Sequence, residues 1–451
     1  MLEQLINEPT LLDLQDPLNQ SEAMMNKAES VMPTGAEFAR GAMNQLDIFS
    51  GYIMVFAVAF LVTVLITPLI RKLAIANGIV DHPSEARKIH KIPIAYLGGM
   101  AVYLGIIAAI AFSYIASDTP GLIDYHPMSD DHLVDGFYHP VVPPWIALGM
   151  TSIVLVGLLD DITGIPARVK LGGQLVAAAA LALGNVGINV AAGVLTPTLG
   201  RLLDNPELLY QIPMPMDIPG IGASIELDLI YWSGTAIIAV FVLGACNASN
   251  FIDGLDGLLT GVTSIAMVGL LAIALTLAVL DDGPFDAPRI IFGLAVLGAC
   301  LGFLPHNFNP ASIFLGDTGS LLLGYCSAVM ILSLGDTGKT WLVAAGLIVY
   351  AIPIIDTALA IIRRKLAGRK MSDPDADHLH HMLKRAFGVK GAVFSLYGIG
   401  IVFGLLGVML SYFRGRIIYA LALIIASYIG VYAIKVARQS QLEQQTKSDD
   451  Q

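Results

Sequence analysis

The chain has 451 residues, of which 55% are hydrophobic and only 14% charged, with a mean hydropathy of +0.72. Soluble domains carry about 25% charged residues, so a soluble globular protein is excluded, and repeated runs of about 20 apolar residues mark an all-α polytopic integral membrane protein. The net charge of −11 decides little because the charges are unevenly placed, and Cys246, Cys300 and Cys326 sit in apolar stretches without disulfide or metal-ligand spacing.

Eleven spans are expected, near 50–70, 97–116, 144–159, 171–188, 230–249, 259–280, 289–305, 320–334, 341–362, 391–412 and 416–437. The third and fourth are short and rich in small residues, which leaves the total open by one. One set of loops, with the C-terminal tail, holds eighteen of the twenty-five basic residues. By the positive-inside bias that side is cytoplasmic. An odd count then places the N-terminus outside. Three regions are expected: an outer extension over 1–47, a polytopic domain over 48–437 and a cytoplasmic polar tail over 438–451.

In chain order, residues 1–47 carry eight acidic and two basic residues. They lack a basic stretch followed by an apolar core, so they are not a signal peptide. Two readings stay open here: a short amphipathic helix on the outer face, or a start at Met25, Met32 or Met43. The first inner loop, from Asp81 to Lys91, contains Lys88 and His90 and precedes Gly98-Gly99. Alone it reads equally well as a positive-inside anchor. Residues 117–143 have no Lys or Arg, as an outer loop should.

The third span ends in Asp160-Asp161, followed by Arg168 and Lys170. Adjacent aspartates repel, so a pair at a membrane face needs a cation nearby. Mg²⁺ suits, because it takes few carboxylates and leaves room for substrate phosphates. A solvated helix end is the plain alternative. Further on, 209–216 and 223–229 flank Pro219-Gly220 and predict a small outer β-hairpin.

The fifth span ends in Asn247-Ala-Ser-Asn-Phe-Ile-Asp-Gly-Leu-Asp256. Carboxylates beside hydrocarbon require pairing, a metal or a watery cleft. Positions three apart are helix neighbours, each step losing about 60°. Asn247, Asn250, Asp253 and Asp256 would thus sweep about half a circumference. Gly254 and Gly257 predict that the helix breaks here and lets them converge. A helix cap needs one such residue, not four.

The seventh span runs to Asn307, followed by Phe314 and Gly316-Asp317-Thr-Gly319. Those glycines let backbone come close to a ligand. Gly-Asp-Thr-Gly recurs at 335–338, but on the outer side and without partners, so the tetrapeptide alone carries no weight. The last large inner loop contains His378, His380 and His381. Asp375 or Asp377 predicts a helix cap there and Gly388 an end. Leu379, Met382, Leu383 and Phe387 predict an apolar stripe for the membrane interface. His378 and His381 share a helix face, while His380 points elsewhere. No Cys and no fourth ligand lies nearby in sequence, which disfavours Zn²⁺ and favours anion binding at a helix N-terminus. A plain surface helix stays open.

These groups all fall on one face under a topology derived from charge alone. Carboxylates for a divalent cation, with Lys, Arg and His for phosphates, are the equipment of phosphoryl transfer. Their place at the membrane surface implies one water-soluble and one lipid-borne reactant.

The order Asp-x-Pro…Arg-Lys-x-His, Gly-Leu-Leu-Asp-Asp…Lys, Asn-x-x-Asn-x-x-Asp-Gly-x-Asp-Gly, Asn-x-x-Pro-Ala-x-x-Phe-x-Gly-Asp-x-Gly-Ser and His-x-His-His resembles the polyprenyl-phosphate N-acetylhexosamine-1-phosphate transferases over about 50–437. His378-Leu-His380-His381 is similar to the WecA and TagO branch rather than the phospho-MurNAc-pentapeptide branch. The resemblance implies transfer of GlcNAc-1-phosphate from UDP-GlcNAc to undecaprenyl phosphate, releasing UMP and starting a lipid-linked cell-envelope glycan. It implies Mg²⁺, with Mn²⁺ able to replace it, at Asp317, Asn250 and Asp253. It matches Asp160 and Asp161 to an essential pair that either deprotonates the lipid phosphate or positions it and the metal.

Lys170 matches a diphosphate-binding lysine, and Asn307 and Phe314 fall where the family holds uracil. Asp256, His378, His380 and His381 complete the nucleotide-sugar pocket, and Lys88, His90 and Asn247 lie within motifs that bind substrate. The expected setting is the bacterial inner membrane with a cytoplasmic site, a homodimer left open and no nucleic acid. One departure is Ala95-Tyr96, where Pro-Arg is common before Gly-Gly. The rivals are a sister transferase using UDP-MurNAc-pentapeptide or another UDP-N-acetylhexosamine, and, from another class, a secondary transporter. Acidic motifs clustered at helix ends rather than at mid-span argue against the last.

Overall fold

The computed structural model describes residues 44–81, 93–117, 119, 121–125, 141–218, 222–280, 283, 285–366, 378–413 and 415–449. Most of the expected outer extension, Lys88, His90, Asp375 and Asp377 lie outside these residues. The helices are α1 (Gln45–Ala76), α2 (Gly98–Ala116), α3 (Pro144–Thr163), α4 (Ala167–Leu183), α5 (Asn189–Leu195), α6 (Leu229–Ile252) and α7 (Leu258–Leu280). They continue with α8 (Asp286–Asn307), α9 (Gly316–Ser333), α10 (Thr340–Val349), α11 (Ala351–Leu366), α12 (Leu379–Phe413) and α13 (Arg416–Asp449).

Each expected span coincides with a helix, except the ninth, which is α10 and α11 bent by 78° at Tyr350. Seven helices are long and apolar enough to cross a bilayer, or eight if the bent pair counts as one. This is fewer than the eleven expected, because α4 has 17 residues, the 18 residues of α9 include the polar Gly-Asp-Thr-Gly-Ser start, and the apolar part of α13 ends at Tyr432. The chain is an all-α polytopic membrane protein. The expected polar tail continues α13 as helix to Asp449.

The predicted hairpin is present as β3 (Leu209–Ile218) antiparallel to β4 (Gly222–Asp228). A second ladder, unforeseen in the sequence, joins β1 (Val80–Asp81) to β2 (Ile94–Ala95).

Hydrophobicity does not pull helices together inside lipid, so close backbone approach has to. Gly298 and Gly302 of α8 lie against the Phe56 and Phe60 carbonyls of α1, where a Cβ would come within 2.5 and 2.6 Å. α8 and α9 form the buried centre, whereas α1 turns Leu61, Leu65, Leu69 and Leu73 outward. The far end of that centre is tied by Arg289, which donates to Asp286 at 3.0 Å and to the Ser333 carbonyl at 2.8 Å. The chain direction alternates along α3, α4, α6, α7, α8 and α9. The ends of α3, α6 and α8 therefore meet the starts of α4 and α9 on one face.

Candidate active site

That face holds a cleft of about 540 Å³, with Asp253, Asp256, Phe314, Asp317, His381 and Lys384 among its walls. The predicted break is there: α6 stops at Ile252, α7 starts at Leu258, and Gly257 adopts φ +76° between them. Asn250, Asp253 and Asp256 line the cleft as expected. Asn247 turns away, its amide donating to Gln174 Oε1 at 2.9 Å and to the Leu243 carbonyl at 2.7 Å. One helical turn before Asn250, it faces α4, so three of the four polar groups converge rather than four.

Asp317 is the centre. Its Oδ2 accepts from Lys170 Nζ at 2.6 Å and its Oδ1 from Asn250 Nδ2 at 2.9 Å. Lys170 Nζ also lies 2.6 Å from Asp160 Oδ2, while Asp160 Oδ1 accepts the Ile165 N–H at 2.9 Å. One ammonium thus bridges two carboxylates from α3 and α9. Asp253 accepts no hydrogen bond among the described residues, and burial, then the charges of Asp317, Asp161 and Asp256, push its carboxyl up to about 8. This is an all-oxygen donor set with more negative charge than one lysine neutralises.

Asp161, paired with Asp160 in sequence, does something else. Its Oδ1 accepts the Asp317 N–H at 2.8 Å, and its Oδ2 accepts the Thr318 N–H at 3.0 Å and the Thr318 hydroxyl at 2.6 Å. Leu315, which precedes α9, makes no side-chain cap, so Asp161 caps that helix from across the α3 contact. The approach requires glycines. A Cβ on Gly316, at φ +74°, would lie 2.6 Å from Asp161 Oδ2, and one on Gly157 would lie 2.5 Å from Thr318 Cα.

At the other side of the cleft, Asn307 is held at both ends of its carboxamide. Its Oδ1 accepts from Gly257 N–H at 3.2 Å and Thr260 Oγ1 at 3.0 Å, and its Nδ2 donates to the Ile313 carbonyl at 3.1 Å. It therefore braces the cleft wall, using one of the two N–H groups of its Nδ2. Asp256 Oδ2 accepts from Asn309 Nδ2 at 2.8 Å and Ala311 N–H at 3.1 Å.

Phe314 faces the cleft beside Tyr96, their ring centroids 6.1 Å apart. Burial, then the Asp81 carboxylate, hold the Tyr96 phenol well above its usual range. Residues 313–315 are stitched to β2 and α2: Phe314 N–H donates to Ala95 O at 2.8 Å, and Gly98 and Gly99 donate to Phe314 O and Leu315 O at 2.9 and 2.8 Å. Tyr96 and Asp81 were not singled out by their residue types. The signal was the position of Tyr96 beside the Gly-Gly that lets α2 close on α9.

The histidines divide differently from the sequence expectation. His378 Nδ1 is 2.8 Å from Asp356 Oδ2, and His380 Nδ1 is 3.9 Å from the same oxygen. Both rings are buried, and His381 is the one that lines the cleft. Asp356, His378 and His380 are the one group of this kind among the described residues close enough to share a metal, and no fourth His, Cys, Asp or Glu joins them. Leu379 and Met382 of the expected interfacial stripe are buried, while Phe387 is exposed. Sequence reading passed over Asp356, although a lone carboxylate in an apolar run is itself a signal.

The sequence pattern of glycosyl transferase family 4 matches residues 144–335, which include Asp160, Lys170, Asp253 and Asp317. Similar proteins include the probable undecaprenyl-phosphate N-acetylglucosaminyl 1-phosphate transferase of Bacillus subtilis, 30% identical over 80% of this chain and 85% of that protein. The decaprenyl-phosphate N-acetylglucosaminephosphotransferase of Mycolicibacterium smegmatis is 33% identical over 72% of this chain and 73% of its own. The phospho-N-acetylmuramoyl-pentapeptide-transferase of Shouchella clausii is 28% identical over 80% of this chain and 96% of its own. With coverage of this extent, across the helices that build the cleft, the chain belongs to glycosyl transferase family 4 and is a membrane-embedded transferase of phospho-sugars.

Proposed function

We propose that the protein transfers GlcNAc-1-phosphate from UDP-GlcNAc to undecaprenyl phosphate at the cytoplasmic face of the bacterial inner membrane, releasing UMP. The observation that carries this reading is the Lys170 ammonium held between Asp160 and Asp317, 2.6 Å from each. Leu159 and Ile162, which flank Asp160-Asp161 in the sequence, are exposed apolar side chains. A charged centre bordered by an oily surface suits a phosphate that carries a hydrocarbon tail. The two relatives named for N-acetylglucosamine phosphate transfer are 30% and 33% identical, against 28% for the one named for pentapeptide transfer, which favours GlcNAc over the sister donor.

In this reading the lipid phosphate oxygen attacks the sugar-linked phosphorus, the bond to the UMP oxygen breaks, and the sugar keeps its own C–O bond. Phosphate monoesters lose their second proton near pH 6, so Asp160 has no proton to remove and serves to orient Lys170 toward the acceptor. Lys170 neutralises phosphate charge. Phe314 and Tyr96 offer flat surface to the uracil, and His381 and Lys384 offer donors to the anionic part of UDP-GlcNAc.

The donor set of Asp317, Asp253 and the Asn250 carboxamide is hard and all oxygen, and among the described residues Asp253 has no hydrogen-bond or ion-pair partner to offset its charge. It fits Mg²⁺, which when bound would neutralise the diphosphate.

Purified protein with labelled UDP-GlcNAc, undecaprenyl phosphate and Mg²⁺ should yield UMP and a lipid-linked sugar phosphate, and chelation should stop it. UDP-MurNAc-pentapeptide should compete poorly. No lipid product from wild type, or full activity in Asp317→Ala, would sink the reading.

A further inference from the structure

Asp356 is a buried carboxylate that the reaction above does not use. It lies in α11, 1% exposed, a little past the 78° bend from α10. Its Oδ2 faces His378 Nδ1 at 2.8 Å and its Oδ1 accepts the Leu379 N–H at 2.7 Å. A carboxylate only accepts, so the imidazole proton on this side sits on Nδ1. Leu379 opens α12, so Asp356 caps that helix from a different one, as Asp161 caps α9. The first stretch of α12 needs such an anchor. Gly388, at φ +72° and ψ 179°, interrupts the helix and separates 379–387 from the long span beyond it.

What this anchor holds faces the cleft. His381 N–H donates to the His378 carbonyl at 2.9 Å, and His381 and Lys384 line the cavity. On its inner side the same turn presses His380 Nε2 against Gly254, where any Cβ would collide with the ring. His380 is 1% exposed. Its Nδ1 has no hydrogen-bond partner among the described residues and is turned toward Asp356 at 3.9 Å. His378 and His380 are thus pins, and only the third histidine of the motif is placed to meet a ligand.

We propose that Asp356 is the positioning residue of the donor pocket: through His378 and the Leu379 N–H it fixes the first turn of α12 on the 253–257 loop, so that His381 and Lys384 bear on the anionic donor. This rests on the donor being a nucleotide-linked sugar phosphate. Removing one partner of a buried, hydrogen-bonded charge leaves the others unsatisfied, so the turn should shift rather than tighten.

The test uses the full chain in lipid nanodiscs, varying UDP-GlcNAc and undecaprenyl phosphate separately. Asp356→Ala should raise the donor KM about tenfold or more with the acceptor KM unchanged, the mark of lost donor binding. Asp356→Asn, which keeps one carbonyl acceptor for one of the two donors, should return part of it. Gly254→Ala, which displaces His380 from the opposite side, should give the same split if Asp356→Ala does not fold. Asp356→Ala combined with His381→Ala should cost less than the two single losses added together, because both act through the same turn. An unchanged donor KM, equal changes in both KM values, or additive losses would overturn the proposal. UMP binding by calorimetry reads the pocket without turnover and should weaken about tenfold in Asp356→Ala. A wild type that binds UMP but never forms lipid product refutes the proposed reaction and leaves this positioning role standing.

Discussion

Gly-Asp-Thr-Gly stands at both ends of one helix, at 316–319 where α9 begins and at 335–338 just past its end. Eighteen residues of helix put the copies about 27 Å apart, at opposite ends of the helix. At the start, Gly316 swings the chain through φ +74° and Asp317 receives Lys170 and Asn250, with Asp161 capping its own N–H. At the end, Gly338 at φ +73° closes a turn by donating to Gly335 O at 2.9 Å, and the Asp336 carbonyl accepts from Asn189 at 2.6 Å. The backbone adds to the contrast, because a helix N-terminus favours a carboxylate and a C-terminus does not. Four identical residues form a site at one end and a loop at the other, so the chemistry lies in the helix end and its neighbours.

The largest expected difference is at the aspartates. Asp317→Ala should lower kcat/KM by about 10³-fold, in the range of losing a group that stabilises transition-state charge. Asp336→Ala should stay within about twofold, as surface changes do. Equal losses measured side by side would break the comparison.

Next comes the cap. Asp161→Ala leaves two backbone N–H groups and a hydroxyl without their acceptor. It should cost about 1–2 kcal/mol in denaturation and about 10²-fold in turnover by releasing Asp317. Asp161→Asn, keeping one carbonyl acceptor, should fall between, and wild-type turnover in Asp161→Ala would show that the cap does not matter.

The glycines sharpen the contrast further. Gly316→Ala and Gly338→Ala should each cost about 1 kcal/mol for a left-handed alanine. Only Gly316→Ala also drives a Cβ toward Asp161, at 2.6 Å, whereas at Gly338 the nearest atom, Gly193 Cα, is 3.5 Å away. Turnover should fall about tenfold in the first and hold in the second.

A dependence on pH also separates the two ends. With Asp253 raised from 3.8 to about 8, the metal-free fold holds a proton there that the unfolded chain releases. Stability without metal should therefore decline as pH rises from about 4 to about 8. In the proposed reading Mg²⁺ would have to displace that proton, so its affinity should rise about tenfold per pH unit below about 8 and level off above. Asp253→Asn should flatten both curves, read by calorimetry and thermal unfolding.

The sequence went far with the helices and the face they share. Long apolar runs have one low-cost answer in a bilayer, and the glycines at 254 and 257 were enough to foresee the break after Ile252. It could not separate Asp160 from Asp161. Neighbours on a helix point about 100° apart, and which one faces Lys170 and which one caps α9 depends on how α3 is rotated against α9. The same rotation sends Asn247 to Gln174 and Asn250 to Asp317. The sequence reading also put His378 and His381 on one face. Asp356, twenty-two residues upstream of His378, pulled His378 inward instead, and no local pattern announces a partner on another helix.

Residue type and order determined that this chain spans a membrane, that its carboxylates and cations gather at one face, and that the gathering suits phosphate chemistry. Each of these follows from the cost of charge in hydrocarbon, which is a property of single residues in a solvent. Tertiary structure decided which of two adjacent aspartates meets the cation and which one braces a helix. It also decided that His381, rather than His378, meets the cleft, and that Asn307 braces it. Those assignments depend on helix rotation and on glycine contacts between helices, where a fraction of an ångström selects one hydrogen-bond partner over another.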